Sequence, residues 1–592
     1  MQTYQPPLRD MRFVLHELHG SEALKDMKGL EEVTPDLIDA VLDEAAKLVT
    51  EVLAPLNVVA DQKGCTYENG VVRTPPGFKE AYQTYREGGW NGIACDPEWG
   101  GQGLPASVTK LVEEMMCSAN IAFGLYPGLT HGAYVALSHH ASQELKERFL
   151  PKMVEGVWSG TMCLTEPHCG TDLGLLRTKA EPLGDGSYAI TGSKIFISAG
   201  EHDMTENIVH LVLARLPDAP AGTRGISLFI VPKRREEGGK LVPNGVTCGA
   251  IEHKMGIKAS ATCVMNFDGA VGHLVGEPHK GMRAMFTFMN AARLHVGIHA
   301  LALAEAARQG AVQFARERLQ GRSLTGVKYP ELEADPILVH PDVRRMLLAC
   351  RAFTEGARAL TAWTTLGIID AEHHPDPERR QAGDDLASLL TPVVKAFQTD
   401  LGFETTNTAL QVCGGYGFTR DYGMEQFVRD CRITQIYEGT NGIQGLDLVG
   451  RKMPANFGRS LRRFFHPVSE FIAAEAGNER MKEFVEPLAK AFERLQRATG
   501  WLAEQSLKSR DEAGAAATDY LHLFGWVAFA YLWARMAKVA MEKEGQEDAL
   551  FYQAKIATAR FFVQRMLPRH SAHFAALLAG AASMMEFPDE AF

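Results

Sequence analysis

The chain is 592 residues long, beyond what one hydrophobic core usually organises, so three or four packed units are expected. Its 46% hydrophobic and 22% charged content, without low-complexity tracts, excludes a disordered tail or a fibre. A formal net charge of -11 opposes general attraction to nucleic acid or to an anionic membrane, since both are themselves negative.

In chain order, the start Met1-Gln2-Thr3-Tyr4-Gln5-Pro6-Pro7 lacks the charged and then apolar run of a secretory signal, which predicts a cytoplasmic protein. Residues 1–33 read as an N-terminal extension. Over residues 34–158 apolar positions recur every three to four residues, as in Leu37-Ile38-x-x-Val41-Leu42-x-x-Ala45-Ala46, so a helical domain is expected. Glycine-rich loops at Gly88-Gly89-Trp90-Asn91-Gly92 and Glu98-Trp99-Gly100-Gly101-Gln102-Gly103 interrupt it. Over residues 159–280 the pattern changes to short β-branched or aromatic runs, Ser187 to Thr191, Ile208 to Ala214, Ile226 to Val231 and Cys263 to Phe267, bounded by turns such as Gly184-Asp185-Gly186 and Asp268-Gly269. That predicts a small β domain.

Helical periodicity returns over residues 281–453, in Met282 to Leu319 and Val343 to Ile369. The polar stretch from Glu372 to Asp385, with two prolines, predicts an exposed helix–helix loop ahead of the helix that leads into Val412. Residues 454–592 form a further helical region whose charges nearly cancel, giving no basic face for nucleic acid. Its most apolar stretch, Tyr520 to Ala534, falls short of the roughly twenty residues that span a bilayer and is expected to be a buried core helix. The ten cysteines are scattered without a C-x-x-C pair, and His16-Glu17-Leu18-His19 is not H-E-x-x-H; reduced, mostly buried thiols and no metal are expected. No sequence repeat of 20 to 50 residues stands out.

Five motifs carry chemistry. In Arg432-Ile433-Thr434-Gln435-Ile436-Tyr437-Glu438-Gly439-Thr440-Asn441-Gly442-Ile443-Gln444, an acid among apolar and small neighbours suits a general base beside a close ligand; alone, an exposed loop Glu is the better reading, and the other motifs reverse that. Leu164-Thr165-Glu166-Pro167-His168-Cys169-Gly170-Thr171-Asp172 offers amides and hydroxyls to a ring edge or a pyrophosphate, or is a polar turn. Gly192-Ser193-Lys194-Ile195-Phe196-Ile197-Ser198 places an aromatic and a hydroxyl two apart on one strand face, which chance alternation also produces. Arg316-Glu317-Arg318-Leu319-Gln320-Gly321-Arg322 supplies guanidinium forks for phosphate, or is a solvated helix end. Gln411-Val412-Cys413-Gly414-Gly415-Tyr416-Gly417 permits close backbone approach, or is an ordinary glycine cap. A G-x-G-x-x-G between strand and helix is missing, so a Rossmann-bound dinucleotide has no support.

In order and spacing, these motifs from Thr165 to Thr440 resemble the acyl-CoA dehydrogenase family, as do Lys254-Met255-Gly256-Ile257-Lys258-Ala259-Ser260 and a helix start at Asn290-Ala291-Ala292-Arg293. The resemblance implies a mainly α fold with a central β domain: helical, β-barrel, helical bundle, plus an extra C-terminal helical domain. It implies FAD-dependent α,β-dehydrogenation of an acyl-CoA thioester to the 2-enoyl-CoA, with Glu438 as the catalytic base. Leu164, Thr165, Gly170, Thr171, Phe196 and Ser198 are then expected around the flavin. Arg318, Gln411, Gly414 and Gly415 are expected on its pyrophosphate and adenosine, in part from a neighbouring subunit, and Thr440 and Gly442 also belong to the cofactor set. Thr171, Asn290, Arg293 and Gly439 are the expected substrate contacts. Phe196 stands where the family usually has Trp, Ala199 where Asn is common, and Gln320-Gly321 lacks the usual intervening Phe.

The opening segment and the extra helical region resemble the extended branch of the family, which includes enzymes acting on 3-methylmercaptopropionyl-CoA in dimethylsulfoniopropionate breakdown. Medium-chain or long-chain fatty acyl-CoA is the alternative substrate class. The resemblance further implies an electron-transfer flavoprotein as electron acceptor and a homodimer, because in relatives with such an appended domain that domain occupies the surface used by a second dimer. The rival readings are an acyl-CoA oxidase, and a flavin-binding scaffold associated with nucleic acid.

Overall fold

Stretches with a period near 3.6 become helices and stretches with a period of two become strands in the computed structural model, which describes residues 4–592. The first three residues of the expected N-terminal extension lie outside the described residues. The chain divides into two compact units: one holds the chain up to Glu44 with Ala106–Glu114 and Val296–Phe592, the other Ala45–Pro105 with Met115–His295.

The second of these units is built on a seven-stranded sheet. Strands run in the order Val246–Ile251, Thr262–Val275, Tyr188–Ser198, Lys179–Pro182, Asn207–Arg215, Trp158–Cys163, and Ile226–Pro232 pairs with both Thr262–Val275 and Asn207–Arg215. That double pairing closes the sheet on itself. Both faces of Asn207–Arg215 are consequently buried. Leu211 and Leu213 pack in a cluster with Ala133, Leu137 and Phe149 from helices, while Val212 and Ala214 join Ile190, Phe229 and Val231 in a second cluster. Double burial explains why the run Ile208 to Ala214 is apolar on both faces except for His210, itself buried and paired with the Thr161 hydroxyl. A two-stranded hairpin, Thr66–Glu68 with Val71–Arg73, interrupts the expected helical domain. Its strands are too short to register as alternation.

The other unit is helical. The helix Gly281–Glu317 enters it from Val296, and Pro341–His373 packs against Pro377–Val412. The predicted loop from Glu372 to Asp385 is corrected here: only residues 374–376 separate the two helices. Asp376 caps the second helix by accepting from the Glu378 amide, and Pro377 occupies its first turn, where a proline costs no hydrogen bond. The proline that looked like a breaker is a starter. Asn290 likewise lies inside Gly281–Glu317, not at the helix start expected from the resemblance.

The apolar stretch Tyr520 to Ala534 is part of the helix Arg510–Lys543, with Trp526, Phe529 and Trp533 buried as expected. Gly525 and Gly356 let it approach the bundle: a Cβ on Gly525 would lie 2.3 Å from the Phe397 ring, and one on Gly356 2.9 Å from the Trp533 ring nitrogen. Phe397 meets Trp526 and Phe529 edge-on at 5.1 and 5.0 Å. Among the described residues, no helix is long and apolar enough to cross a membrane and no group of three or more His, Cys, Asp or Glu is placed to hold a metal. All ten cysteines are free and nine are buried.

A buried charge cluster ties the helical unit together. Arg358 donates to Glu114 at 2.5 and 3.0 Å, to Glu305 at 3.4 Å and to Asp10 in the N-terminal extension. Lys555, in the appended helical region, donates to Asp10 and, at 2.6 Å, to Glu355. Arg308 and Arg351 complete the balance on Glu305 and Glu355. Removing one partner strands charge in a dry interior, so Arg358→Met is expected to cost about 3–5 kcal/mol. Denaturant unfolding followed by far-UV circular dichroism should show the loss.

Candidate active site

In the β unit, the loop after Trp158–Cys163 is shaped by a carboxylate. Glu166 accepts from Lys194 at 2.8 Å, from the Thr178 hydroxyl and amide, and from the Arg177 amide at 2.8 Å. Burial alone would raise this carboxyl, but the Lys194 ammonium and these donors outweigh it and hold it down to about 2. Burial pulls Lys194 below its ordinary value while Glu166 opposes the fall. Lys194 also donates to the Leu164 carbonyl at 3.0 Å, and the Ile195 amide to the Thr165 carbonyl at 2.9 Å. The pair thus brings the Leu164, Thr165, Gly170 and Thr171 loop against the strand that carries Phe196 and Ser198. Both charged residues sit inside the quoted motifs, yet nothing local said that they meet.

Phe196 does not continue a plain strand, so the expected alternation with Ser198 is corrected. Its φ is +58°, inside a register shift where residues 194–197 face Met265 and Cys263. A left-handed aromatic in a strand is a bulge feature that re-aims a side chain. Phe196 is 60% exposed, whereas Ile197 is buried and Ser198 half-buried. Gly170 and Thr171 are also exposed.

In the helical unit, the Tyr437-Glu438-Gly439-Thr440 turn leads into the helix Asn441–Asp447. Glu438 and Gly439 have φ of +59° and +88°, so the carboxylate is carried on consecutive left-handed residues, a conformation disfavoured for Glu unless its surroundings impose it. Those surroundings are specific. The buried Gln444 amide donates to the Glu438 and Gly439 carbonyls at 3.1 and 3.2 Å. The Tyr437 hydroxyl pairs with His299 Nδ1 at 2.9 Å, and His299 Nε2 is 4.0 Å from Glu113, itself paired with Lys110 at 2.9 Å. Asn441 donates to Asp400 at 2.7 Å and accepts from Lys395 at 2.7 Å. Glu438 is half-buried; Thr440 and Gly442 are exposed.

Elsewhere in this unit, Arg318 lies past the end of Gly281–Glu317 with its guanidinium carbon 5.5 Å from the Tyr416 ring centre. Tyr416 directly follows Gly414 and Gly415, and the Gly414 amide donates to the carbonyl of the exposed Gln411 at 3.0 Å. Gly414 has a φ of +57° and, like Gly415 and Gly442, would place a Cβ in open space, leaving backbone uncovered for a ligand. Of the expected substrate contacts, Arg293 is buried and Asn290 exposed, both on Gly281–Glu317. Sequence reasoning missed Asp400, His299 and the roles of Gln444, Asn441, Glu166 and Lys194. For Asp400 and His299 the only signal is three-dimensional.

In the β unit an exposed aromatic suits a flat ring, and in the helical unit backbone left open suits a phosphate chain while a clamped turn carries a carboxylate: the equipment of a flavin-dependent dehydrogenase. The chain belongs to the acyl-CoA dehydrogenase family. Residues 36–157, 161–270 and 279–453 match the N-terminal, middle and C-terminal domains of acyl-CoA dehydrogenase, and 464–588 match the acetyl-CoA dehydrogenase C-terminal-like domain. It is 43% identical to the 3-methylmercaptopropionyl-CoA dehydrogenase of Ruegeria pomeroyi, over 96% of this chain and 97% of that one. It is 36% identical to a butyryl-CoA dehydrogenase of Syntrophomonas wolfei, over 100% and 99%. The fold matches an acyl-CoA dehydrogenase complexed with FAD from Bacillus anthracis with a TM-score of 0.76, at 22% identity over 94% of this chain and 90% of that one. The protein is an acyl-CoA dehydrogenase with FAD as its cofactor, and the open glycines and the exposed Phe196 fit that group.

Replacing Lys194 by Met leaves Glu166 buried without its cation, which is expected to cost about 3–5 kcal/mol and to release FAD. Flavin absorbance retained after gel filtration reads this out. Because the folded Glu166 carboxyl is depressed, its contribution is complete above the unfolded value of about 4.3 and is lost as pH falls toward 2. Wild-type FAD retention should therefore be flat from about pH 5 to 8 and decline below about pH 4.

Proposed function

We propose that Glu438 is the base of this dehydrogenase and that its substrate is the short thioether acyl-CoA 3-methylmercaptopropionyl-CoA. The observation that carries the first part is the turn at Glu438, a left-handed carboxylate held by hydrogen bonds on both sides. The second part is supported by the full-length likeness to the Ruegeria pomeroyi enzyme.

The α-proton of a thioester is too weakly acidic for a carboxylate in water. Glu438 gains on it by being carried on a turn whose backbone is already fixed, so that little rearrangement is needed when the proton moves. Its carboxylate takes the α-proton and becomes a carboxylic acid; the electron pair left on Cα forms the Cα=Cβ bond as the β-hydrogen departs as hydride. FAD, when bound, supplies the acceptor for that hydride. The Glu438 amide donates to the thioester oxygen, where negative charge develops. Gly439, Arg293, Asn290 and Thr171 hold the acyl-CoA.

Leu164, Thr165, Gly170, Thr171, Phe196 and Ser198 hold the flavin ring, Phe196 by stacking. Arg318, Gln411, Gly414 and Gly415 hold pyrophosphate and adenosine, in part across to a second copy, with Thr440 and Gly442 completing the set. The working assembly in this reading is a cytoplasmic homodimer that passes its electrons to an electron-transfer flavoprotein.

Glu438→Gln should retain FAD and bind acyl-CoA but lose nearly all turnover; a wild-type rate would assign the base elsewhere. Anaerobic addition of 3-methylmercaptopropionyl-CoA should bleach the flavin faster than straight chains from C4 to C16. Faster bleaching by any of those would replace the substrate, and stoichiometric peroxide in air would make the enzyme an oxidase.

A further inference from the structure

Asp400, on the helix Pro377–Val412, is a hub for the turn that carries Glu438. Its Oδ1 accepts from Gln435 at 2.7 Å and from Asn441 at 2.7 Å, residues three before and three after Glu438. The same carboxylate therefore grips both ends of the segment that contains the two left-handed residues. Its other oxygen, Oδ2, pairs with His522 Nε2 at 2.9 Å. His522 belongs to the helix Arg510–Lys543, within the appended C-terminal region.

We propose that His522 is a positioning residue for Glu438: the appended region reaches the reaction through the His522–Asp400 pair, which orients the carboxylate that clamps the catalytic turn. The proposal rests on the reading of Glu438 as the base.

With its proton on Nε2, His522 donates to Asp400 Oδ2, leaving both Oδ1 lone pairs for Gln435 and Asn441. The ring is held in turn. His573 stacks on it with centroids 4.9 Å apart and planes 15° apart, and Phe397 meets its edge at 5.8 Å. His573 Nδ1 pairs with Asp519 at 2.9 Å. Burial would raise the Asp400 carboxyl, but its bonds to His522, Gln435 and Asn441, with the His522 charge, hold it below the usual carboxylate range. An anion in this place keeps all three donors aimed at it. Without the His522 bond, Asp400 is free to rotate, and Gln435 and Asn441 lose their fixed partner.

The consequence is kinetic. A base displaced by about an ångström still meets substrate but misses the α-proton, at a cost of up to about a hundredfold. The test compares His522→Phe, His522→Gln, Asn441→Ala and Glu438→Gln as full-length, FAD-loaded proteins. Stopped-flow flavin reduction by saturating acyl-CoA gives the chemical rate, and steady-state kinetics give KM. His522→Phe is expected to slow reduction about 10- to 100-fold with KM within about twofold of wild type and the flavin spectrum unchanged. His522→Gln, whose amide nitrogen reaches the Nε2 position, should restore most of the rate. Asn441→Ala, which cuts the clamp from the other side, should slow reduction similarly, and the double variant with His522→Phe should be less than additive.

Wild-type reduction in FAD-loaded His522→Phe overturns the proposal, as does an equal defect in His522→Gln and His522→Phe. Should His522→Phe fail to fold, Asn441→Ala and His522→Gln decide: a wild-type rate in Asn441→Ala, or a full defect in His522→Gln, overturns it. Glu438→Gln separates the two readings. If it is inactive while the His522 variants are normal, only the present inference fails; if it is fully active, the assignment of the base fails first.

Discussion

Four carboxylates, Asp10, Glu114, Glu305 and Glu355, share the interior of the helical unit with Arg358 and Lys555, and the half-buried Arg308 and Arg351 close the cluster at its edge. Charges taken out of water are costly, and their mutual attraction repays that cost only when each finds its partner. The cluster therefore acts less as a source of stability than as a condition on assembly. Asp10 comes from the N-terminal extension, Arg358 and Glu355 from the bundle, and Lys555 from the appended region. None can be buried in the absence of the others, so the extension and the appended helices are integral to the bundle.

That constraint has a functional corollary. The helix Arg510–Lys543 packs on Pro377–Val412 through Gly525 and Phe397, and the same approach puts His522 beside Asp400. A turn with two successive left-handed residues does not persist on local preference. It is held by Gln444 from within, by His299 on Tyr437, and by Asp400 on both flanks. The β unit solves a similar problem with a different device: the Glu166–Lys194 pair fixes the loop that precedes the bulged Phe196. In each case the residue expected to meet ligand is held by a charged group remote in sequence.

The order of helical and β segments, the buried nature of Tyr520 to Ala534 and the candidacy of Glu438 were legible because they rest on periodicity and on contiguous motifs, which a chain displays before it folds. The misreadings have the same origin. Pro377 has one meaning inside a helix and another at its first turn, and only Asp376 capping the Glu378 amide separates them. Phe196 and Ser198 look like neighbours on one strand face until the partner strand imposes a register shift.

By itself, then, the sequence determined the fold class, the family motifs and the acid proposed as the base. Tertiary structure alone decided how that acid is held. The Asp400–His522 pair spans 122 positions and the Arg358–Asp10 pair 348, and hydrogen bonds over such separations leave no local pattern. They form only because packing brings their helices together, and a buried charge must then find its partner or forfeit the fold.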